Sequence, residues 1–323
     1  MFLKLESNLE IKDWHNRALE LRSQGFSSRA IAEKLLGRKS AKSSINDFFK
    51  RYDTLNEVVD VSKTKILYFD LESSLAEALT FQFWQTNIPY TRITKQTHLL
   101  SAQWAFNDGE VQGIRVTPEQ VKTGDDLDVV VKVIEAINQA DVVVTFNGKK
   151  FDIKLLNTRA IFWGLPPIKP VKHIDLFEQA KRNFKFPSNS MQNISMYLGL
   201  GGKIATGGTQ LWERCANWKD YQQCNNALEE MLLYGKQDIE ATRDLHKRFQ
   251  GWMKNTPNLG TITNDVENTE SLRCVHCASE NIFKMDKHSY TSVSSFDLYR
   301  CGEEDCRGVS RITKNGKNLV GVV

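Results

Sequence analysis

The chain has 323 residues, 41% of them apolar and 25% charged, with 43 Lys and Arg against 39 Asp and Glu. That composition excludes a collagen-like or wholly disordered polymer, and no apolar run approaches the roughly 18 residues that cross a bilayer. At about 100–200 residues per folded unit, the length predicts two domains with room for smaller modules.

The first residues carry Lys4, Glu6 and Glu10 where a secretory signal needs an unbroken apolar stretch, so a soluble, cytoplasmic protein is expected. Residues 1–63 hold 12 Lys and Arg against 9 Asp and Glu, and residues 22–51 hold eight against two. Such a basic end suits a polyanion, and it also suits an ordinary solvated surface. Three short helices are predicted over 11–53. The first, about 11–24, has Trp14, Ala18 and Leu21 at helical spacing. Ser27 or Ser28 can cap the second, which Gly37 ends, and Ser40 or Ser43 can cap a third that turns Ile45, Phe48 and Phe49 inward. The segment from Gly25 to Tyr52 resembles the small helix-turn-helix of resolvases and transcriptional regulators, here bounded at 1–55. In that reading Lys42, Ser43, Asn46 and Lys50 project toward DNA; the alternative is a helical cap packed on the next domain.

A linker is expected at 56–64, after which the pattern alternates strand and helix. TKILYFDLES, HLLSAQWAF and VQGIRV read as strands, DDLDVVVKVIEAINQA as a helix, DVVVTFNG as a strand and FDIKLLNTRAIFWG as a helix. Three strands followed by helix, strand and helix make an α/β unit with a mixed sheet. No Gly-rich phosphate loop accompanies it, so neither an ATPase nor a dinucleotide enzyme is supported.

Carboxylates cluster at the ends of these elements. Asp70 and Glu72 lie two apart on the first strand and therefore share a face, where two acids repel unless a cation stands between them. Hard oxygen ligands favour Mg²⁺ or Mn²⁺. Asp152 opens a helix, where the dipole alone would also stabilise it. Tyr234 and Asp238 are four apart on a long helix and share a face.

In order and context, Asp70-x-Glu72, Asn147-x-x-x-Phe151-Asp152 and Tyr234-x-x-x-Asp238 resemble the three exonuclease motifs of the DEDD superfamily. They match its tyrosine-containing branch, which includes the proofreading domains of B-family DNA polymerases. TFNGKKFDIKLL and FQFWQTNIPYTRITKQTHLLSAQWAF are similar to stand-alone exonucleases of bacteria and phages, and HIDL and SMQNISMYLGLGGK also agree. The resemblance implies a ribonuclease H-like mixed sheet flanked by helices over 65–255. It implies phosphodiester hydrolysis with two Mg²⁺ or Mn²⁺ ions held by Asp70, Glu72, Asp152 and Asp238. Tyr234 would orient the attacking water, since a phenol with a pKa near 10 is a poor base at neutral pH. Asn147 would contact substrate or support the ligands; Asp175 and Lys154 receive no role. The aromatic run around Phe83 and Trp84 can stack bases of a single strand or serve as core or lid packing.

After a second expected linker at 256–270, residues 271–323 carry Cys274-x-x-Cys277 and Cys301-x-x-x-x-Cys306, with 23 residues rich in strand formers between the pairs. That spacing predicts a zinc ribbon with one structural Zn²⁺ on four thiolates, His276 and His288 being alternative ligands. Cys215 and Cys224 read as ordinary structural residues, and the tail adds Arg307, Arg311, Lys314 and Lys317.

The expected protein is therefore a 3′→5′ exonuclease of DNA, acting on single-stranded 3′ ends between two nucleic-acid-binding modules. Replication or recombination proteins are candidate partners, and no membrane partner is expected. It would work in the bacterial cytoplasm or, if phage-encoded, that of the host cell. Two alternatives stand beside it: an RNA exonuclease or structure-specific endonuclease on the same fold, and a non-catalytic DNA-binding or regulatory protein.

Overall fold

A computed structural model describes residues 14–47, 49, 64–82, 84, 87–201 and 209–322. The chain divides into two units at Val61/Ser62.

In the first unit, α1 (His15–Ser23) precedes α2 (Ser28–Leu36), whose start is fixed by Ser27 accepting a hydrogen bond from the Ala30 N–H. A 3-10 turn, Lys39–Ala41, runs directly into helical residues 42–47, so Ser40 and Ser43 lie inside these turns and neither stands ahead of them as a cap. Ala18, Leu21, Ile31, Ala32, Ile45 and Phe49 form a small buried core, sealed by the Arg22 guanidinium 4.5 Å above the Phe49 ring. Lys42, Ser43 and Asn46 are exposed. Lys50, Phe48 and most of the 56–64 linker lie outside the described residues.

The second unit is built on a five-stranded sheet in the order β5-β4-β1-β6-β7: β1 (Ile66–Ser73), β4 (Leu99–Phe106), β5 (Gln112–Arg115), β6 (Val142–Thr145) and β7 (Lys172–Asp175). A separate short hairpin pairs β2 (Glu77–Ala78) with β3 (Ile93–Lys95). β1 runs antiparallel to β4 and parallel to β6, which runs parallel to β7. These central strands read as continuous apolar runs because both sheet faces are covered.

Helices α3 (Pro118–Thr123), α4 (Leu127–Gln139), α5 (Asp152–Phe162), α6 (Leu176–Asn183), α7 (Met191–Tyr197), α8 (Gln210–Ala216) and α9 (Tyr221–Phe249) surround the sheet. Leu67 and Phe69 point into one core with Val130, Val133 and Leu156. Tyr68, on the opposite face, joins Val142, Val144, Ile174, Ile239 and Leu245. The alternation of the strand continues beyond Tyr68, so Asp70 and Glu72 extend the face over which the second half of α9 passes. Gly235 permits that crossing, since a Cβ there would meet the Gln103 side chain at 2.3 Å. A buried network locks the far side: the Asp126 carboxylate accepts bonds from Arg159 Nε at 2.7 Å, the Leu99 N–H at 2.7 Å and Trp163 Nε1 at 2.7 Å.

The 256–270 stretch is not a linker. It contains α10 (Leu259–Glu267), capped by Asn258 and anchored by buried Leu259, Thr263 and Asn264. Its run of Asn, Thr and Gly has weak helix propensity, which packing overrides. Beyond it, β8 (Ile282–Tyr290), β9 (Ser295–Cys301), β10 (Val309–Ile312) and β11 (Leu319–Gly321) form an antiparallel sheet in the order β11-β10-β9-β8. This module is seated firmly on the core. Leu259 N–H donates to the Val275 carbonyl at 2.9 Å, Asn258 Nδ2 to that of Leu319 at 2.8 Å, and a Cβ at Gly251 would lie 1.8 Å from the Cys306 carbonyl. No helix among the described residues is long and apolar enough to cross a membrane.

Candidate functional site

The end of β1 and the middle of α9 bring Asp70, Glu72 and Asp238 together, with carboxylate oxygens within 4.8 Å of one another. Asp152 stands beside them at the start of α5, where its Oδ1 accepts a 3.0 Å hydrogen bond from the Leu71 N–H, between the two acids of β1. It joins them in the wall of one cavity of about 460 Å³, but not in the three-carboxylate cluster itself. Asn147, Phe146, Phe151, Phe177, Asn189 and Ser190 line the same cavity, and no Lys, Arg or His does so among the described residues.

Burial pushes Asp152 up to about 6; the Leu71 N–H opposes this and the charge of Asp175 adds to it. The loop that carries Asp152 is held by Asp175. That carboxylate accepts from the N–H groups of Asn147 at 2.8 Å and Lys149 at 3.1 Å, and it caps α6 through the Phe177 N–H at 3.0 Å. Asn147 takes a positive φ of 68° to make the turn. Thr145 Oγ1 accepts from the Gly148 N–H at 3.1 Å and pairs with His173 Nε2 at 2.8 Å. Desolvation pushes His173 down to about 4, so it is neutral near pH 7. Asp175 is the positioning residue that the sequence reading left without a role, although an Asp closing a strand and opening a helix is itself an N-cap signal.

The donor set suits a hard cation. Oxygens sharing one octahedral Mg²⁺ lie about 2.9 Å apart when cis and about 4.2 Å apart when trans, so a three-carboxylate cluster within 4.8 Å is on the scale that a bound ion would draw closed. Tyr234, one turn ahead of Asp238, is half-buried with its ring edge-on to Trp212 at 6.1 Å and is not among the residues lining the cavity. Trp84 is 94% exposed, and Phe83 lies outside the described residues.

The second cluster is made of sulfur. Cys274 Sγ is 3.7 Å from Cys306 Sγ, and Cys277 Sγ is 3.5 Å from Cys301 Sγ. Four thiolates at about 2.3 Å from a tetrahedral Zn²⁺ would lie about 3.8 Å apart, so the set fits that ion with little change. Hydrogen bonds from the Cys277 and Cys306 thiols hold Cys274 well below the ordinary thiol range. His276 and His288 are not part of this cluster, and His288 Nε2 lies 3.2 Å from Asp297. Cys215 and Cys224 are buried, the Cys224 thiol donating to the Cys215 carbonyl at 3.0 Å.

A mixed five-stranded sheet with acids at the end of its central strand, facing a crossing helix, defines a ribonuclease H-like protein. Residues 67–250, more than half of the chain, match the model of the RNase H superfamily, and the chain belongs to that superfamily. This fits the expected resemblance to a DEDD exonuclease. The chain is also similar to the solved structure of the family B DNA polymerase from the hyperthermophilic archaeon Pyrobaculum calidifontis. Identity is 15% with a TM-score of 0.44, and the match covers 62% of this chain but only 27% of that one. No curated protein matches the chain. Superfamily membership supports a nuclease with a nucleic-acid substrate and a divalent-metal requirement at the acidic cluster, and the grouping of Cys274, Cys277, Cys301 and Cys306 is compatible with a second metal site.

Proposed function

We propose that the protein is a 3′→5′ exonuclease that removes nucleotides from single-stranded DNA ends. The observation that carries this reading is the convergence of Asp70, Glu72 and Asp238, with Asp152 beside them, in one open cavity. Asp70, Glu72, Asp152 and Asp238 would hold two Mg²⁺ or Mn²⁺ ions, which when bound acidify the attacking water and stabilise charge developing on the phosphate and the leaving 3′ oxygen. The chain's own work is then positioning. Asp175 keeps the Asn147–Asp152 loop in register, and Asn147 meets the substrate at the cavity wall. Phe146, Phe151 and Phe177 offer apolar surface to the terminal base.

Tyr234 would orient the water through its hydroxyl from one turn before Asp238. Tyr234→Phe should lower the single-turnover rate about tenfold or more without changing substrate affinity, and an unaltered rate would remove Tyr234 from the mechanism. The cysteine module would carry one structural Zn²⁺. The N-terminal unit would grip nucleic acid through Lys42, Ser43, Asn46 and Lys50, and Phe83 and Trp84 would stack bases of a single strand.

The deciding experiment is a gel time course with 5′-labelled single-stranded DNA, single-stranded RNA and duplex DNA in Mg²⁺, Mn²⁺ and EDTA. A metal-dependent ladder shortening from the 3′ end of DNA is expected. Discrete internal cuts would replace the exonuclease with an endonuclease, a ladder on RNA alone would change the substrate, and binding without products would leave a regulatory protein.

A further inference from the structure

We propose that the groove between the nuclease core and the cysteine module binds the single-stranded polynucleotide that feeds the carboxylate cavity, so that the module forms one wall of the substrate path. This rests on the nuclease reading above and adds to it a binding site remote from the chemistry.

The groove encloses about 1170 Å³ and takes its walls from both parts of the second unit. On the core side, Phe184, Phe186, Tyr197 and Trp252 form a connected aromatic surface. Ring centroids are 5.2 Å apart for Phe184–Phe186, 5.6 Å for Phe186–Tyr197 and 6.1 Å for Phe184–Trp252. Phe184 and Phe186 rest on buried Phe249, at 4.9 and 6.2 Å, which fixes the surface in place. Tyr197 and Trp252 remain 67% and 65% exposed, more aromatic area than core packing consumes.

Five cations border these rings: Lys185, Arg248 and Lys254 from the core, and Arg300 and Arg307 from the module. All are exposed, and none forms an ion pair among the described residues. Among the described residues, only two acids, Glu304 and Asp305, line the groove against them. Unpaired cations interleaved with exposed ring faces match a strand whose phosphates and bases are both available. A duplex offers the phosphates but keeps its bases stacked on each other.

The groove and the catalytic cavity share a wall. Residues 183–186 line the former and residues 189–191 the latter. Three residues reach at most about 11 Å, so Phe186 and Asn189 are close enough for one strand to pass from groove to cavity. The module is held in place by the approach of Gly251 to the Cys306 carbonyl, which gives the second wall a fixed position.

The test uses the full zinc-loaded chain and two double variants at exposed positions, Tyr197→Ala with Trp252→Ala and Arg248→Glu with Lys254→Glu. Affinity for a fluorescein-labelled oligothymidylate, read by anisotropy in Ca²⁺, should fall about tenfold or more in each. The charge variant should also show a flatter salt dependence. KM on the oligomer should rise with kcat unchanged, while turnover of a dinucleotide, which reaches only the cavity, should stay at the wild-type value. Wild-type protein should crosslink a 4-thiothymidine oligomer at the peptides holding Tyr197 or Trp252. Affinities within twofold of wild type, or crosslinks confined to other peptides, overturn the groove while leaving the nuclease intact. A wild-type chain that cuts neither oligomer nor dinucleotide overturns the nuclease reading instead, and this proposal with it.

Discussion

The carboxylate cavity and the cysteine cluster are each built for metal, yet they relate to the fold in opposite ways. The acids sit on elements that a large apolar core already holds: β1 and α9 bury Leu67, Tyr68, Phe69, Ile239 and Leu245 around them. In the cysteine module the buried cluster is Cys274, Cys301 and Cys306 themselves, with Cys277 and Ile282 packed against it, and few other apolar residues, among them Val275, Phe296 and Leu319, are buried there. In the first case metal is added to a finished framework, and its absence leaves crowded acids. In the second, metal takes the place of a core.

That contrast can be broken in several ways. The largest effect belongs to the cysteines. If the cluster holds a structural Zn²⁺, chelation would remove a binding energy of about 10–16 kcal/mol and Cys301→Ser a large part of it, so the amides of 271–322 should lose protection from hydrogen exchange while those of β1, β4 and α9 keep it. Global unfolding would show that the module supports the core as well as itself. Next comes Asp238→Asn, expected to lower single-turnover cleavage by at least about a hundredfold to a thousandfold with the melting temperature little changed. A collapse of stability would mean that the acids are part of the framework after all.

Asp126→Ala tests the framework directly. It strands Arg159, a residue 5% exposed, without its carboxylate and should cost about 3–5 kcal/mol in denaturant unfolding whether or not metal is present. The smallest and most diagnostic effect is that of Asp152. Its carboxyl is raised from 3.8 to about 6, so the apo fold holds a proton that the unfolded chain releases earlier. The stabilisation this gives is complete below pH 3.8 and is lost as pH rises through 6. Asp152→Asn should therefore raise apo stability at pH 7, by about 2–3 kcal/mol at most, while weakening Mn²⁺ binding in calorimetry. No cysteine substitution in the module should stabilise anything.

Much of both sites was legible in local pattern. Asp70 and Glu72 share a face because a strand repeats every two residues, and the paired cysteines announce their chemistry through spacing alone. The longer-range arrangements were not legible. Nothing adjacent to Asp175 says that it will hold the loop carrying Asp152, and nothing near Asp126 names Arg159, 33 residues away, as its partner. Helix α10 escaped because its residues are poor helix formers and become helical only against Val275 and Leu319. Tyr234 shares a helix with Asp238, but which wall its ring leans on depends on Trp212 arriving from α8.

By itself, then, the sequence determined the central strands and the helices that follow them, the acids that end them and the four thiols, because period, capping and ligand spacing act over a few residues. Tertiary structure decided the rest: that α9 crosses β1 closely enough to join Asp238 to Asp70 and Glu72, that Asp152 is buried enough for its pKa to rise, and that the cysteine module is docked against Gly251 with a basic, aromatic groove beside it. Those outcomes depend on which distant surfaces meet, and the free energy of their meeting comes from burial and close approach, which no short window of residues encodes.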